Sequence, residues 1–166
     1  MVLKSLSFLQ LPGAKMPVRI QEHDFDLTQE IALLRKDEPQ IGAVAIFIGT
    51  VRDLNEGSQV KAMTLEHYPG MTEKALHDIV DEAKKRWDLK DALVIHRVGP
   101  LMPLDQIVLV AVTSAHRREA FAACEFIMDY LKTLAPFWKK EDTPQGARWV
   151  DARVSDDQAM ERWAKK

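Results

Sequence analysis

Cysteine is nearly absent from this sequence. Among 166 residues there is one, Cys124, so a single chain cannot form an internal disulfide, a Cys-x-x-Cys pair or a cysteine-rich zinc site. Proteins without disulfides are typical of reducing compartments, and we expect this one in the cytoplasm. Cys124 falls beside apolar positions of a predicted helix, where a thiol usually serves as a small core residue.

Long apolar runs and an excess of one charge are missing too. No run approaches the roughly 20 apolar residues that a membrane-spanning helix needs, so we expect no membrane association. Lysine and arginine total 23, aspartate and glutamate total 25, and the net charge is −2. This balance leaves no general basic surface for nucleic acid, so we expect no such partner, and any anion site must be a local pocket.

Common ligand-binding and catalytic motifs are also absent. The sequence contains no P-loop, no dinucleotide-binding G-x-G-x-x-G after a strand, no H-E-x-x-H and no G-x-S-x-G. We therefore predict neither a bound metal nor a cofactor. The apolar stretch within residues 1–16 is short and interrupted, unlike a signal peptide, and we assign this N-terminal extension no function.

The apolar pattern predicts a strand-strand-helix unit twice, after an N-terminal strand and helix. The predicted strands are Val18–Ile20, Gly42–Val51, Val60–Tyr68, Ala92–Val98, Ile107–Thr113 and Arg148–Ala152. The predicted helices are one capped by Asp26, then Met71–Trp87, Ala115–Leu134 and a charged tail helix over Asp156–Lys166. We expect an α+β fold in which helices pack on one mixed or antiparallel sheet.

Turn and cap residues refine this prediction. Asn55-Glu56-Gly57 is a turn signal between the second and third strands, which we expect to pair as a hairpin. Ser114 is the expected N-cap of the long helix, and Pro136 ends that helix because proline disfavours helix at the residue before it. The length predicts one domain, which we place at residues 17–153, followed by a charged tail at 154–166.

A cationic cluster opens the long helix, where His116, Arg117 and Arg118 follow Ser114. Cations at this end oppose the helix dipole, whose N-terminus is already positive. An anionic ligand held by the free backbone N–H groups and by these side chains would resolve the conflict. The alternative is that the side chains extend into solvent at a cost of about 0.3–1 kcal/mol. The sequence favours neither.

The segment KTLAPFWKKE at the other end of that helix places Lys132 and Lys139 on either side of Pro136. The aromatic pair Phe137-Trp138 could anchor a rigid exit loop that holds Lys139 over a pocket. A lysine beside other cations and partly shielded from water suits proton transfer or nucleophilic chemistry. The alternative, which local physics favours, is that both lysines are solvated at a helix end.

Two further candidates lie near predicted strand ends. Arg52 follows the buried strand Gly42–Val51, where it could clamp a phosphate or carboxylate, or instead pair with Asp53. His67 lies at the end of the third strand, and we expect it to be structural. The single thiol also means that no second one can resolve a persulfide, so in any sulfur transfer the sulfur should arrive on another molecule.

Together these segments resemble the molybdopterin synthase catalytic-subunit family, also called MoaE. The matching stretches are GAVAIFIGTVRD, TLEHYPGMTEKAL, VIHRVGPL, TSAHRREAF and FIMDYLKTLAPFWKKE, with RWVDAR extending the likeness to Arg153. They run in order from Gly42 to Glu141, which makes the resemblance far more specific than any one motif. Residues 1–16 and the extreme C-terminal tail lie outside it.

The resemblance implies an α/β-hammerhead fold and an enzyme, a sulfurtransferase of molybdenum cofactor biosynthesis. It implies a homodimer that binds a small ubiquitin-like sulfur-carrier subunit at each end, giving a heterotetramer. That partner carries a C-terminal Gly-Gly thiocarboxylate. Its sulfur goes to cyclic pyranopterin monophosphate, twice, and forms the molybdopterin dithiolene.

The resemblance also implies site residues, and this sequence departs from the family at none of them. Lys132 and Lys139 are the implied catalytic residues. The implied substrate-binding or pocket-lining residues are Arg52, His116, Arg117, Lys140, Glu141, Phe47, Met128 and Arg153.

Geometry adds one expectation. His116 and Lys132 are 16 residues apart on one predicted helix, about 24 Å at 1.5 Å per residue. Either that helix breaks early or the pocket is completed across the dimer, which we favour. Two rival functions remain: a transferase that uses the cationic pocket without a thiocarboxylate donor, and a non-catalytic regulatory module that binds a small phosphorylated heterocycle.

Overall fold

The computed structural model describes residues 16–150 and 154–164. The strands in this part of the chain are β1 Val18–Gln21, β2 Ala43–Thr50, β3 Leu54–Asn55, β4 Ser58–Gln59, β5 Ala62–His67, β6 Leu89–Arg97, β7 Gly99–Leu101, β8 Gln106–Ser114, β9 Phe137–Thr143 and β10 Gly146–Val150. The helices are α1 Leu27–Arg35, α2 Met71–Arg86, α3 Arg117–Leu134 and α4 Val154–Ala164. The predicted α+β class is confirmed.

The first sheet has the strand order β1-β6-β8-β2. Its β1–β6 pair is parallel, and the β6–β8 and β2–β8 pairs are antiparallel. Alternate residues of β6 serve two cores: Val94 packs with α2 and α3, while Leu93 and Ile95 pack with α1. The sheet is therefore covered on both faces, and β2 forms one of its edges.

The second sheet has the order β10-β9-β5-β7, with all neighbours antiparallel. The expectation of a single sheet, with Val60–Tyr68 paired to Gly42–Val51, is wrong. The Asn55-Gly57 turn is present, but it closes only the two-residue strands β3 and β4. Beyond it β5 pairs with β7 and β9, where Met63 faces both Leu101 and Glu141. A local turn signal does not determine which distant strand follows it.

Helix ends agree with the sequence in some places and differ in others. Asp26 caps α1 by accepting a hydrogen bond from the backbone N–H of Gln29, as predicted. Ser114 is the last residue of β8, and the N-cap of α3 is His116, so the predicted cap is wrong by two residues. The Ser114 hydroxyl instead donates to the backbone carbonyl of Asp88. Ala135 caps the C-terminus of α3 immediately before Pro136, as expected.

The C-terminal helix α4 packs against α3 through Trp163, which is buried between Trp87 and Phe126. The predicted helical character of the tail is therefore confirmed. Within residues 16–150 and 154–164, no helix is long and apolar enough to cross a membrane. The proposed boundaries at residues 16 and 153 stay predictions.

Candidate functional site

A groove runs between the edge strand β2 and helix α3. It holds about 440 Å³, within the range of roughly 300–1,000 Å³ that is usual for small-molecule sites. Its lining brings together three of the candidate site residues, Phe47, Met128 and Lys132, and it also includes Cys124. Phe47 is 40% exposed although it is a large apolar residue of a strand, because β2 has no neighbouring strand beyond it in the sheet.

Charge in this groove is unevenly compensated. The acidic lining residues Glu125 and Asp129 are both bound by Arg162 of α4, at 3.2 and 3.0 Å. Asp129 also accepts a hydrogen bond from the indole Nε1 of Trp163 at 2.8 Å. These partners offset part of the negative charge of the two carboxylates. The groove therefore combines an apolar wall with one cation, Lys132.

A second set of candidates meets at the carboxylate of Glu141, whose side chain is 1% exposed. Oε1 accepts a hydrogen bond from Asn55 Nδ2 at 2.8 Å, and Oε2 accepts one from Arg148 Nη2 at 3.2 Å. The ammonium of Lys139 lies 3.7 Å from Oε1. A buried carboxylate requires such partners, since an unpaired buried charge costs several kcal/mol.

Arg52 joins this set through Asn55, whose Oδ1 accepts a hydrogen bond from Arg52 Nη2 at 3.3 Å. We call Arg52, Asn55, Lys139, Glu141 and Arg148 the Glu141 cluster. The loop after β2, strand β9 and strand β10 each contribute to it. The structure thus brings together the sequence candidates Arg52, Lys139 and Glu141. The alternative pairing of Arg52 with Asp53 is not among the ion pairs of the described residues.

Lys140 points to the other face of the second sheet, because successive residues of a strand alternate between faces. Its ammonium lies 5.8 Å from the ring centre of Trp149, its partner across β10. Trp138 shares that solvent-facing side. Lys140 is therefore separated from Lys139 and Glu141 by the sheet, and its substrate-binding role stays a prediction.

His116 and Arg117 are exposed at the start of α3. The helix runs without a break from Arg117 to Leu134, so the less favoured alternative, an early break, does not occur. These two residues are at the opposite end of α3 from Lys132, as 1.5 Å per residue requires. The remaining candidate, Arg153, lies outside the described residues.

Two residues of the Glu141 cluster were not identified from the sequence, Asn55 and Arg148. Asn55 was interpreted only as a turn residue, and Arg148 only as part of a strand. The one available signal was that β10 alternates, which places Arg148 on the same face as its partner Glu141. Asn55 is 4% exposed, and nothing local to a turn sequence indicates such burial.

The entry into β9 is held by a buried histidine. His96 stacks on Phe137 with ring centres 3.8 Å apart, and its Nδ1–H donates to the carbonyl of Arg97 at 2.8 Å. Burial lowers the pKa of His96 from 6.5 to about 4, so the ring is neutral at pH 7. Nearby, the hydroxyl of Thr72 donates to the carbonyl of Pro136. These contacts set where β9, and with it Lys139, begins.

Other candidates hold no reactive arrangement. His67 Nε2 lies 3.6 Å from the Glu73 carboxylate at the start of α2, which suits the structural role predicted for it. Cys124 is buried in the helical core, as predicted. Burial raises the pKa of its thiol to about 11. Within the described ranges, no three His, Cys, Asp or Glu side chains are grouped so that they could hold a metal ion.

Comparison with known proteins places this geometry in context. The model of the family described as MoaE protein matches residues 20–134. The molybdopterin synthase catalytic subunit of Ralstonia nicotianae is 75% identical over 146 residues, 88% of this chain and 83% of that protein. Its counterpart from Escherichia coli K12 is 63% identical over 131 residues, 79% of this chain and 86% of that protein. The structure of the molybdopterin biosynthesis MoaE protein from Burkholderia ambifaria is 61% identical, with a TM-score of 0.78 over 90% of this chain and 99% of that one.

Proposed function

The chain belongs to the MoaE family, and we propose that it takes sulfur from the C-terminal Gly-Gly thiocarboxylate of a small ubiquitin-like partner and transfers it to cyclic pyranopterin monophosphate. It is an enzyme of molybdenum cofactor biosynthesis, with the activity of a molybdopterin synthase catalytic subunit. The product of two transfers is the molybdopterin dithiolene. The cytoplasmic location expected from the single cysteine is part of this proposal.

The observation that carries the proposed site is the placement of Lys139. Its ammonium is held 3.7 Å from a buried carboxylate, in a cluster that also contains Arg52. A lysine held in this way is preorganised, so it can stabilise charge as that charge develops without first losing side-chain freedom. This arrangement favours the catalytic interpretation of KTLAPFWKKE over the solvated one.

Lys132 and Lys139 act on the thiocarboxylate in this proposal. The sulfur attacks a carbon of the pyranopterin, whose bond to oxygen breaks, and one lysine delivers a proton to the leaving oxygen. Water then attacks the thioester carbonyl so formed, the other lysine stabilises the oxyanion that develops, and the acyl–sulfur bond breaks, which leaves the sulfur on the pyranopterin and a carboxylate on the partner. Arg52, His116 and Arg117 bind the phosphate and pterin. Phe47 and Met128 provide the apolar wall of the groove beside Lys132, and the partner's tail enters as an extended strand with main-chain hydrogen bonds.

A second copy of the chain completes the site. Because α3 is unbroken, His116 and Lys132 of one chain are about 24 Å apart and cannot contact one small substrate. Exposed apolar residues of the edge strand β2 lie beside the groove, and a second chain bound there would form a further wall of the groove and leave it open to the substrate. We therefore include a homodimer with a sulfur-carrier subunit at each end, a heterotetramer, in the proposal.

The test is a single-turnover assay in which the chain is mixed with thiocarboxylated partner and cyclic pyranopterin monophosphate, and dithiolene product is measured by mass. Lys132→Ala and Lys139→Ala should each slow product formation by about 100-fold or more. Lys85→Ala removes an exposed lysine of α2 and should leave the rate unchanged. Near-full rates for both site variants would contradict the proposal.

Two further experiments distinguish binding of the sulfur donor from binding of the substrate. Arg117→Ala should weaken pyranopterin binding more than partner binding in calorimetry, because its role is with the substrate anion. The opposite ranking would refute its role. Deleting the partner's terminal Gly-Gly should abolish turnover, and normal turnover with the truncated partner, or by the isolated chain, would exclude a two-protein mechanism.

A further inference from the structure

Two residues with no assigned role, Asn55 and Arg148, meet at the Glu141 carboxylate. We propose that they are positioning residues for sulfur transfer: they fix the Glu141 carboxylate, which in turn places the ammonium of Lys139, while Asn55 also orients the guanidinium of Arg52. This inference rests on the proposed function, since it assigns Lys139 a catalytic part.

The side-chain amide of Asn55 has a different partner on each side. Its Nδ2 donates to Glu141 Oε1 at 2.8 Å, and its Oδ1 accepts from Arg52 Nη2 at 3.3 Å. A side-chain amide suits both contacts, because it carries a donor and an acceptor on one planar group. An aspartate at this position would place a second carboxylate against Glu141. The pattern of contacts also determines which amide atom is nitrogen.

The backbone holds Asn55 in place for this task. Asn55 pairs with Ser58 in the β3–β4 hairpin, and the two turn residues between them, Glu56 and Gly57, have positive φ angles of 51° and 77°. Such a turn is the tight type that matches strand twist. Asn55 therefore sits on a short, rigid hairpin, with its side chain directed into the protein and 4% exposed.

Arg148 ties the hairpin to the second sheet. It lies directly across from Glu141 in the β9–β10 pair, and its Nη2 donates both to Glu141 Oε2 and to the backbone carbonyl of Asn55, each at 3.2 Å. One guanidinium nitrogen thus bridges the carboxylate and the hairpin. A lysine here would keep the charge, but its ammonium is carried on a flexible stem and lacks the planar group that fixes the direction of the donor.

Charge explains why the carboxylate is useful in a site for anions. The Glu141 cluster contains three cations, Arg52, Lys139 and Arg148, and one anion. The carboxylate offsets part of the repulsion among the cations, and two positive charges remain in excess. That excess suits the phosphate of the substrate and the thiocarboxylate of the donor.

The consequence concerns Lys139. A lysine side chain carries about 2 kcal/mol of rotamer entropy, and a carboxylate held on two sides restricts where the ammonium can lie. Without Asn55 or Arg148, Glu141 can move and Lys139 can follow it. A displacement of about 1 Å at a reacting group can cost about 100-fold in rate.

The test uses Asn55→Ala and Arg148→Lys in the assembled enzyme with its partner. Each should slow single-turnover product formation by about 10- to 100-fold, while partner affinity in calorimetry stays unchanged. The matched controls are Gln59→Ala, an exposed residue of the same hairpin, and Arg19→Lys, an arginine of β1 paired with the carboxylate of Glu30 on α1. Both controls should keep the parent rate.

A double-variant comparison separates positioning from general structural damage. If Asn55 acts on the rate through Lys139, adding Asn55→Ala to Lys139→Ala should slow the reaction little beyond Lys139→Ala alone, provided that pyranopterin is saturating so that the binding role of Arg52 does not limit the rate. A full multiplicative loss would overturn the inference, as would an unchanged rate in folded Asn55→Ala. If Asn55→Ala does not fold, Arg148→Lys in the same two backgrounds decides the question by the same criteria.

This design distinguishes the inference from its premise. If Lys139→Ala alone keeps the parent rate, the proposed role of Lys139 fails, whatever Asn55→Ala does. If Lys139→Ala is slow and both Asn55→Ala and Arg148→Lys are at the parent rate, the role of Lys139 stands and the positioning inference is wrong.

Discussion

At the scale of single residues, burial determines what the ionisable side chains can do. The imidazole of His96 is enclosed against Phe137 and is neutral at pH 7, so it serves packing. The thiol of Cys124 is enclosed in the helical core and stays protonated. Lys139 differs from both because it is partly exposed and held by a carboxylate, which leaves it able to meet a ligand.

His96 should make the protein sensitive to acid. Folded His96 has a pKa of about 4 against an ordinary value of 6.5, so between these values the unfolded chain binds more protons than the folded one. The contribution of neutral His96 to the free energy of unfolding is fully present above about pH 6.5 and is lost as the pH falls towards 4. The loss in the free energy of unfolding is up to about 3 kcal/mol. Urea unfolding across this range should show the loss.

The substitution His96→Asn should reduce the fall in the free energy of unfolding between pH 6.5 and pH 4, because it removes the titrating group. His77→Asn, the same change at an exposed position of α2, should leave this fall in the free energy of unfolding as it is in the parent protein. An equally large fall in His96→Asn would show that other groups cause the acid sensitivity.

Cys124 should be dispensable for sulfur transfer. The pKa of its thiol is raised to about 11 by burial, so little reactive thiolate exists near neutral pH. Cys124→Ala should form dithiolene product in the complete assay at close to the parent rate. A thiol reagent should label the urea-unfolded parent quickly and the folded parent slowly. Loss of product in a folded Cys124→Ala protein would mean that the chain itself carries sulfur.

At the scale of elements, strand alternation and helix continuity arrange the site. Strand β9 sends Lys139 and Glu141 to one face of the second sheet and Lys140 to the other. Helix α3 carries Lys132 at one end and the His116-Arg117 pair at the other. The helix α4 supports this arrangement from outside the sheets, through Arg162 and Trp163.

The docking of α4 should depend on Trp163. Its ring packs edge-on against Trp87 and Phe126 at 5.6 and 5.5 Å, and its Nε1 donates to Asp129. Trp163→Ala should lower the free energy of unfolding by about 3–5 kcal/mol, since it opens a cavity between two aromatic rings. Trp149→Ala, at a position that is 54% exposed, should change it by about 0.5 kcal/mol or less. Equal losses in urea unfolding would contradict this.

At the scale of the whole molecule, the proposal needs two chains for one site. The unbroken α3 keeps His116 and Arg117 of one chain away from its own Lys132. A symmetric dimer would bring the start of one helix to the end of the other, twice. Strand β2 lies at the edge of its sheet, and in this proposal the second chain lies along it and borders the groove without filling it.

Mixing experiments test the shared site directly. Arg117→Ala and Lys132→Ala should each be nearly inactive alone, but after unfolding and refolding together they should recover activity at roughly a quarter of the sites, because half of the dimers are mixed and each holds one intact site. Lys132→Ala mixed with Lys139→Ala is the control and should recover nothing, since both changes affect the same half-site. Absence of recovery in the first mixture would place each site within one chain.

The α+β class, the helices and most of the longer strands could be predicted from the sequence, but the prediction of an exit loop at Phe137-Trp138 is wrong, because strand β9 begins there. Apolar periodicity, turn residues and the proline after α3 act over a few neighbouring residues, so their effects can be predicted from short stretches of the sequence. The long ordered likeness to one family indicated Arg52, Lys139 and Glu141 together, and the structure does bring them together.

Only the tertiary structure decided how the strands divide into two sheets, which way Lys140 points relative to the site, and that Asn55 and Arg148 hold Glu141. Each of these depends on pairing between segments far apart in the chain: Asn55 and Glu141 are separated by 86 positions. Pairing over such distances is determined by the combined packing of all elements, and no local pattern encodes it. The sequence by itself therefore determined the helices, most of the longer strands and the family that the chain resembles, while the fold decided that β9 forms and which side chains share a site.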